Sequence, residues 1–362
     1  MKNILVAAGG TGGHLFPALA VVETLKKKLN DEIDFTFYGC SDKIEGRVVP
    51  ELGYKFYETD LHGVSNFMSL KGLQLPFKIF NNIIKIKKFI KENNVDAVLC
   101  AGAYLSVPPG IAAKQLDKKL FLMESNVNIG KANKFLLDRC DMIFTSFAKT
   151  SDSFPDYIKD KVRLTGNPIR YSLLESREKE ESRKKFGLDI NKKTILIFGG
   201  SLGAKTINNS VIKNIDNFAK KDYQIIWQCG NIHNFSVELP SNIKLLKFID
   251  DMGSAYSAAD LVVSRSGATS AAEICALGKP SILVPLPSAS NNEQYLNAQE
   301  MDKSGAAVLV KNEDIEGRLY DLIEELINNN EKLNAMSQKA LSLGNPKASE
   351  EIADTIIKQL MN

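Results

Sequence analysis

A strand, a glycine-rich loop and a helix follow one another twice in this chain, and this repeat constrains the fold more than any other feature. The apolar run Ile4–Ala8 leads into "GGTGGH" at residues 9–14, and helical spacing of apolar residues begins near Pro17. A second apolar run leads into "GGSLGA" at 199–204, with a helix predicted from about Lys205. Two such starts predict two α/β halves of similar design.

Strand-like runs alternate with helical stretches after each loop, which is typical of a doubly wound parallel sheet. The runs are "IDFTFYG", "DAVLCAG", "KLFLME" and "MIFTSF" in the first half, and "QIIWQCG", "NIKLLKF", "LVVSRSG" and "PSILVPL" in the second. We predict an α/β chain of two Rossmann-like domains, residues 1–166 and 167–347, facing a central cleft floored by both loops. The apolar face of a last helix, about 348–362, suits packing on either half.

Composition narrows the class of protein. The 362 residues carry a net charge of +3, too small to argue for a nucleic-acid partner. Five cysteines without a Cys-x-x-Cys pair argue against a zinc site or a disulfide framework and fit a reducing compartment. No signal peptide and no apolar run of about 20 residues is present, so we expect a cytosolic protein unless it binds a surface. No Asp-x-Asp occurs, and we expect neither a metal nor a cofactor.

The first loop carries an ionisable group that the second lacks. Thr11 aligns with Ser201, whereas His14 aligns with Ala204. Backbone N–H groups at a helix start favour phosphate, but the first loop matches neither the dinucleotide motif nor the P-loop. Histidine suits proton abstraction from a hydroxyl, so His14 is a candidate general base. The alternative is a histidine that caps the helix or bonds a backbone carbonyl.

The segment 67–94 combines six lysines with a single acid, Glu92. On a helix from about Phe77, one predicted stripe faces the core and consists of Ile79, Ile83, Ile86 and Ile90. A second stripe consists of Phe77, Phe80 and Ile84, with Lys87, Lys88 and Lys91 beside it. This basic, apolar face fits peripheral binding to an anionic lipid leaflet. Burial of the second stripe under a neighbouring loop is the alternative.

The motifs together resemble the MurG family of bacterial cell-wall glycosyltransferases. The resemblance covers nearly the whole chain and is carried by the two loops and by "GAYLSVPPGIAA", "TGNPIR", "FIDDM", "SRSGATSAAE" and "NNEQYLNA". It implies a GT-B fold, with the first domain facing acceptor and membrane and the second binding UDP-N-acetylglucosamine. The implied reaction is inverting transfer of N-acetylglucosamine to the 4-hydroxyl of undecaprenyl-pyrophosphoryl-N-acetylmuramoyl-pentapeptide. The implied location is peripheral, on the cytoplasmic face of the cell membrane.

The resemblance also implies roles for particular residues. His14 is the implied base, and Arg170 is similar to the family's arginine near the donor diphosphate. Ile249 is similar to the residue whose backbone meets uracil, Glu273 to the ribose-binding glutamate, and Gln294 to the glutamine that reads the sugar hydroxyls. The other implied substrate contacts are Thr11, Gly12, Gly13, Tyr104, Asn126, Ser201, Ala268, Thr269 and Ser270.

Two positions depart from the family pattern, and rival functions remain open. Met123 stands where the family commonly has histidine, and Ala103 where a second glycine is usual, which affects acceptor contacts more than reaction class. A diacylglycerol glycosyltransferase or a nucleotide-sugar 2-epimerase would share the donor machinery. A dinucleotide oxidoreductase would need a third glycine in the loop and an acid at the end of the second strand, and this sequence has neither. A non-catalytic nucleotide-sugar sensor would leave His14 without a role.

Overall fold

The chain forms two compact units. The computed structural model describes residues 1–63, 70–200, 203–230 and 238–361. The N-terminal unit contains Met1–Arg170 and Lys347–Asn362, and the C-terminal unit contains Tyr171–Pro346. The division thus lies between Arg170 and Tyr171, four residues beyond the boundary predicted from the sequence.

The N-terminal unit is built on a seven-stranded parallel sheet of order β3-β2-β1-β4-β5-β6-β7. Its strands are β1 (Lys2–Ala7), β2 (Ile33–Gly39), β3 (Lys55–Glu58), β4 (Ala97–Cys100), β5 (Lys119–Glu124), β6 (Met142–Thr145) and β7 (Val162–Leu164). The central strands are apolar at successive positions because helices cover both faces, so each face has its own core.

The described residues of this unit form six α-helices before Arg170. They are α1 (Gly12–Leu29), α2 (Ile44–Glu51), α3 (Leu70–Glu92), α4 (Val107–Gln115), α5 (Lys131–Leu136) and α6 (Ala148–Ser151). Helix α1 begins at Gly12, whereas the sequence predicts its start near Pro17. The proline is therefore inside the helix, and Thr11 precedes its first turn. Because α1 starts within the glycine-rich segment 9–14, His14 lies in its first turn.

The C-terminal unit repeats the design with a six-stranded parallel sheet of order β10-β9-β8-β11-β12-β13. Its strands are β8 (Thr194–Phe198), β9 (Gln224–Gln228), β10 (Ile243–Leu246), β11 (Leu261–Ser264), β12 (Ser281–Leu283) and β13 (Ala307–Leu309). Its helices are α7 (Tyr171–Leu174), α8 (Lys179–Lys185), α9 (Lys205–Lys213), α10 (Ile215–Ala219), α11 (Met252–Ala258), α12 (Ala268–Ala276), α13 (Glu293–Lys303), α14 (Ile315–Ile327) and α15 (Asn330–Leu343). The predicted helix start at Lys205 is confirmed.

The last helix, α16 (Ala348–Met361), belongs to the N-terminal unit and packs on α1. Ile352, Ala353 and Ile356 are buried in the core between α1 and the sheet. The chain thus returns to its first domain after completing the second.

Helix α3 buries one face and exposes another. Ile86 and Ile90 are fully buried beside α4, as the predicted core stripe requires. Phe77, in the predicted second stripe, is 76% exposed. Phe80 and Ile84 are also exposed, at 61% and 52%. No helix within the described ranges is long and apolar enough to cross a membrane.

Candidate active site

The sheet order places the candidate base at the switch point of the N-terminal unit. Strands β1 and β4 are neighbours, but the chain continues from β1 to β2 on one side and from β4 to β5 on the other side. Ligands of such sheets bind beyond the carboxyl ends of the two strands at which the order reverses. His14 follows β1, and Ala101 follows β4. The two residues meet there, since His14 Nδ1 lies 2.8 Å from the Ala101 carbonyl oxygen.

This contact determines which nitrogen of His14 carries the proton. A carbonyl oxygen only accepts hydrogen bonds, so the Nδ1–H of His14 donates to Ala101. The neutral ring then keeps a lone pair on Nε2, the form that a general base requires. Burial lowers the pKa of His14 below 6.5, although the Ala101 bond and the charge of Glu45 oppose this shift. The carbonyl bond of the alternative interpretation is therefore present, on the nitrogen that a base does not use.

The chain after β4 is shaped around the imidazole. Gly102 has φ +93°, and a Cβ atom there would lie 3.3 Å from His14 Cε1 and Nδ1. Ala103 follows with φ 57° and ψ 173°, a region that non-glycine residues occupy only under strain. A glycine at this position would relieve that strain.

Glu45 on α2 holds the first glycine loop, and the sequence reasoning missed it. Its side chain is fully buried, with Oε2 accepting from the Gly10 N–H at 2.9 Å and Oε1 from the Cys40 N–H at 3.1 Å. A carboxylate therefore occupies a loop donor that the sequence suggested for phosphate. The sequence indicates this role only in that Glu45 stands among the positions of α2 that face the core.

Tyr104 and Asn126 lie in the same unit near the ends of β4 and β5. The Tyr104 ring packs beside Gly10 and Gly63, and burial raises the pKa of its hydroxyl to about 12. The Asn126 N–H donates to Glu124 at 3.0 Å.

Glu124 anchors the loop that carries Asn126. It is buried and also accepts from the Gly130 N–H at 2.8 Å and from Asn133 Nδ2 at 2.9 Å. Burial raises the pKa of Glu124, and these hydrogen bonds oppose the shift. Met123, at the departure from the family pattern, is buried in the core and contributes its carbonyl oxygen to Asn133.

Arg170 lies against the first helix of the N-terminal unit. Its guanidinium carbon is 5.2 Å from the centre of the Phe16 ring, a cation–π distance. Its positive charge opposes the rise that burial causes in the pKa of Glu23. The Phe16 ring in turn lies against Gly12. The arginine that the sequence grouped with the second domain therefore lies close to the turn that carries His14.

The second glycine loop lies at the switch point between β8 and β11. Gly203 has φ +84°, and a Cβ there would lie 2.0 Å from the Cys229 carbonyl oxygen, so only glycine fits. Gln228 connects this loop to the loop that follows β10. Its amide donates to the Gly200 carbonyl at 2.9 Å and accepts from the Ile249 N–H at 2.8 Å. Ser201, predicted to contact the diphosphate, lies outside the described residues.

Helix α12 starts at the other side of this switch point. Its first turn, Ala268–Ser270, directs backbone N–H groups out of the helix start, where an anion is stabilised. Glu273 follows one turn later, is 6% exposed, and accepts a hydrogen bond from the Tyr256 hydroxyl at 2.9 Å. The sequence reasoning did not identify Tyr256, which orients this carboxylate.

Gln294 is held at the start of α13. Its Oε1 accepts from the Leu286 N–H at 3.0 Å, so its amide N–H₂ is the end directed to other partners. Its carbonyl oxygen accepts from Ser266, just before α12. Apart from Arg170, the predicted donor-side residues that the structure describes thus lie along one edge of one sheet.

Cys40, Asp42 and His62 form a group of possible metal ligands in the described part of the chain. One ligand atom from each lies within 4.8 Å of the others. The Cys40 thiol, however, donates to the Leu61 carbonyl at 3.0 Å, and burial raises its pKa to about 11. Metal binding here would require loss of that proton and hydrogen bond.

The fold of the units and the groups at their switch points define the chain as a GT-B glycosyltransferase. The model of the glycosyltransferase family 28 N-terminal domain matches residues 4–145, and that of the family 28 C-terminal domain matches residues 194–356. The chain belongs to glycosyltransferase family 28.

Curated relatives and solved structures agree with this family. The UDP-N-acetylglucosamine--N-acetylmuramyl-(pentapeptide) pyrophosphoryl-undecaprenol N-acetylglucosamine transferase of Flavobacterium psychrophilum is 35% identical, covering 98% of this chain and 97% of that protein. The protein of the same name from Bacillus cytotoxicus is 35% identical, with 99% of each covered. The structure of Acinetobacter baumannii MurG matches with a TM-score of 0.77 and 28% identity, covering 99% of this chain and 100% of that one. A UDP-GlcNAc 2-epimerase from Neisseria meningitidis, at 19% identity and a TM-score of 0.70, shares the fold over 99% of this chain and 100% of its own.

Proposed function

We propose that this chain transfers N-acetylglucosamine from UDP-N-acetylglucosamine to the 4-hydroxyl of undecaprenyl-pyrophosphoryl-N-acetylmuramoyl-pentapeptide, inverting the anomeric carbon. Relatives 35% identical over nearly their whole length carry the name of this transferase. The observation that carries the proposal is His14, whose Nδ1–H bond to Ala101 leaves Nε2 as a base at a switch point. The reaction forms one glycosidic bond and releases UDP.

His14 would remove the proton from the acceptor hydroxyl as that oxygen attacks the anomeric carbon. Its lowered pKa supports this role, because the ring is neutral at pH 7 before the reaction. The imidazolium formed would be stabilised by the Ala101 carbonyl and the Glu45 carboxylate. Thr11, Gly12, Gly13, Tyr104 and Asn126 would contact the acceptor or the transferred sugar.

The C-terminal unit would hold the donor. The first turn of α12, at Ala268, Thr269 and Ser270, together with Ser201, would bind the diphosphate. Glu273, oriented by Tyr256, would accept hydrogen bonds from both ribose hydroxyls. Gln294 would donate its amide N–H₂ to sugar hydroxyls.

Two further contacts concern the nucleotide. The Ile249 N–H is already bonded to Gln228, so the Ile249 backbone would meet uracil through its carbonyl oxygen. Arg170 would stabilise the negative charge that develops on the leaving UDP. Together these groups supply the base, the donor contacts and the charge stabilisation that the transfer requires.

The exposed face of α3 would bring the enzyme to its lipid-linked acceptor. Phe77, Phe80 and Ile84 are exposed in one stripe, and Lys87, Lys88 and Lys91 lie beside it. Apolar side chains flanked by lysines suit peripheral binding to anionic headgroups. We place this contact at the cytoplasmic face of the cell membrane, where a UDP-sugar is available.

The test is transfer of radiolabel from UDP-N-acetylglucosamine to a short-chain muramoyl-pentapeptide pyrophosphoryl lipid, with diacylglycerol and no-acceptor controls. We expect label in the muramoyl lipid alone, and we expect it to persist in EDTA. Label in diacylglycerol would contradict the proposed acceptor. Isomerised sugar without any acceptor would replace the transferase with an epimerase.

A further inference from the structure

A polar cavity of about 300 Å³ lies in the C-terminal unit, away from the donor-side residues. Its wall includes Lys193, Asp260 and Lys279, which directly precede β8, β11 and β12 or lie one residue further back. Lys179 at the start of α8 and Asn330 at the start of α15 complete it. The cavity is therefore at the amino ends of the strands, whereas the second glycine loop and α12 are at their carboxyl ends.

The cavity carries more positive than negative charge. Its wall contains three lysines and one acid. Both oxygens of that acid, Asp260, are already engaged: Oδ1 accepts from Lys179 at 2.7 Å, and Oδ2 accepts from Arg183 and from the Thr194 N–H, each at 2.7 Å. The single carboxylate of the wall is thus hydrogen-bonded to Lys179 and Arg183, and it forms no hydrogen bond with Lys193 or Lys279 among the described residues.

Lys193 and Lys279 contact only uncharged oxygens within the described part of the unit. Lys193 donates to the Ile327 carbonyl at 2.6 Å and to Asn330 Oδ1, and Lys279 donates to the Ala259 carbonyl at 3.0 Å. Burial, followed by the charge of Lys179, lowers the pKa of Lys279 to about 8, although the charge of Asp260 opposes this shift. Lys193 and Lys279 thus both line one polar cavity, and neither forms a hydrogen bond with a carboxylate among the described residues.

The start of α15 adds to this positive potential. The helix is 14 residues long, and Asn330, Leu333, Asn334 and Ser337 of its first two turns line the cavity. The positive end of its dipole lies at the wall that also carries Lys193. Anions are stabilised at such a position, and the lysines of the wall add positive charge to it.

We propose that this cavity binds a small phosphate-type anion, orthophosphate or pyrophosphate, held between Lys193 and Lys279. A volume of about 300 Å³ is at the lower end for ligand sites, which favours a small polyanion. Each ammonium has N–H donors beyond those in its present bonds, and phosphate oxygens accept from several donors at once. The site differs from the donor site, and its existence does not depend on the proposed transferase activity.

The experiment is calorimetric titration of the full chain with pyrophosphate, and separately with orthophosphate, in the presence of saturating UDP. UDP fills the donor site, so heat then reports the second site. We expect one binding event for the wild type and a loss of affinity of about tenfold or more for Lys193→Gln with Lys279→Gln. Lys279→Arg keeps the charge and is expected to retain binding.

A matched control changes two exposed lysines of the same unit, Lys244→Gln with Lys303→Gln, and is expected to bind as the wild type does. The proposal is overturned if the wild type gives no binding event with UDP saturating, or if the control pair loses as much affinity as the cavity pair. Thermal unfolding of each variant establishes that it is folded. If the double variant is unfolded, Lys279→Gln alone against Lys279→Arg decides the matter.

Discussion

The two glycine loops are alike in sequence and opposite in electrostatics at the residue scale. In the first loop the Gly10 N–H donates to a buried carboxylate, Glu45. In the second, the neutral amide of Gln228 donates to the Gly200 carbonyl. A negative charge beside the first loop stabilises an imidazolium at His14, whereas the described part of the second loop contacts a neutral amide, as the proposed diphosphate site requires. The same type of turn is thus in contact with a charged side chain, Glu45, in one unit and with a neutral side chain, Gln228, in the other.

Replacing Glu45 by glutamine should change the pH dependence of the transfer. A base must be neutral, so activity rises as pH increases through the pKa of His14, which burial already places below 6.5. Glu45 raises that pKa, so Glu45→Gln should shift the acidic limb of kcat/KM to lower pH. Glu51→Gln, an exposed acid on the same helix, serves as the control. An acidic limb that stays in place or moves to higher pH would contradict the electrostatic role.

Replacing Gly203 by alanine should destabilise the C-terminal unit. The new Cβ would collide with the Cys229 carbonyl oxygen at φ +84°, and we expect a decrease of about 1–3 kcal/mol in the free energy of unfolding. Gly317→Ala is the matched control, because its Cβ meets nothing within 4 Å and it lies in α14. It should stabilise the unit by about 0.5–1 kcal/mol in urea unfolding. Equal behaviour of the two variants would refute the steric argument.

At the scale of elements, the sequence predicted the local secondary structure better than it predicted contacts between distant residues. The strand-like runs and the helix at Lys205 follow directly from apolar periodicity. The start of α1 does not, because Gly12 and Gly13 are poor helix formers and Pro17 resembles a first-turn proline. Glu45 was not predictable as a loop ligand, since it is 35 residues from Gly10 and approaches it only after β1 and β2 pair.

The C-terminal helix should be part of the folding unit of the first domain. Ile352 is fully buried in the core of that domain, so Ile352→Ala should lower the free energy of unfolding by about 2–5 kcal/mol. Met361→Ala, at a residue 67% exposed, should change it by less than about 0.5 kcal/mol. Urea unfolding of both variants checks this. No loss of stability in Ile352→Ala would contradict the packing of α16.

The exposed face of α3 should control vesicle binding. Phe80→Ser, Ile84→Ser and Lys88→Glu together should reduce co-sedimentation with anionic liposomes by about tenfold or more, since apolar contact and charge attraction are both lost. Leu341→Ser, Leu343→Ser and Lys339→Glu make the same three kinds of change on exposed positions of α15. Equal binding by wild type and the α3 variant would remove this face from membrane attachment.

At the scale of the whole molecule, the residues proposed for the reaction are distributed over two units with separate cores. The N-terminal unit carries His14, Arg170 and the exposed face of α3, and the C-terminal unit carries Glu273 and Gln294. This division follows from the repeated strand–loop–helix start, so the sequence predicted it in outline. The electrostatic difference between the two loops required the structure, because it arises from side chains on neighbouring strands and helices.

The most direct test of the account is the turnover of His14→Ala with the muramoyl lipid acceptor. The account predicts a loss of about 10²- to 10⁴-fold in kcat, the contribution of a general base, with UDP affinity unchanged. His62→Ala, an exposed histidine of the same unit, should keep wild-type turnover. A His14→Ala enzyme that turns over at a rate near that of the wild type would contradict the assignment of the base.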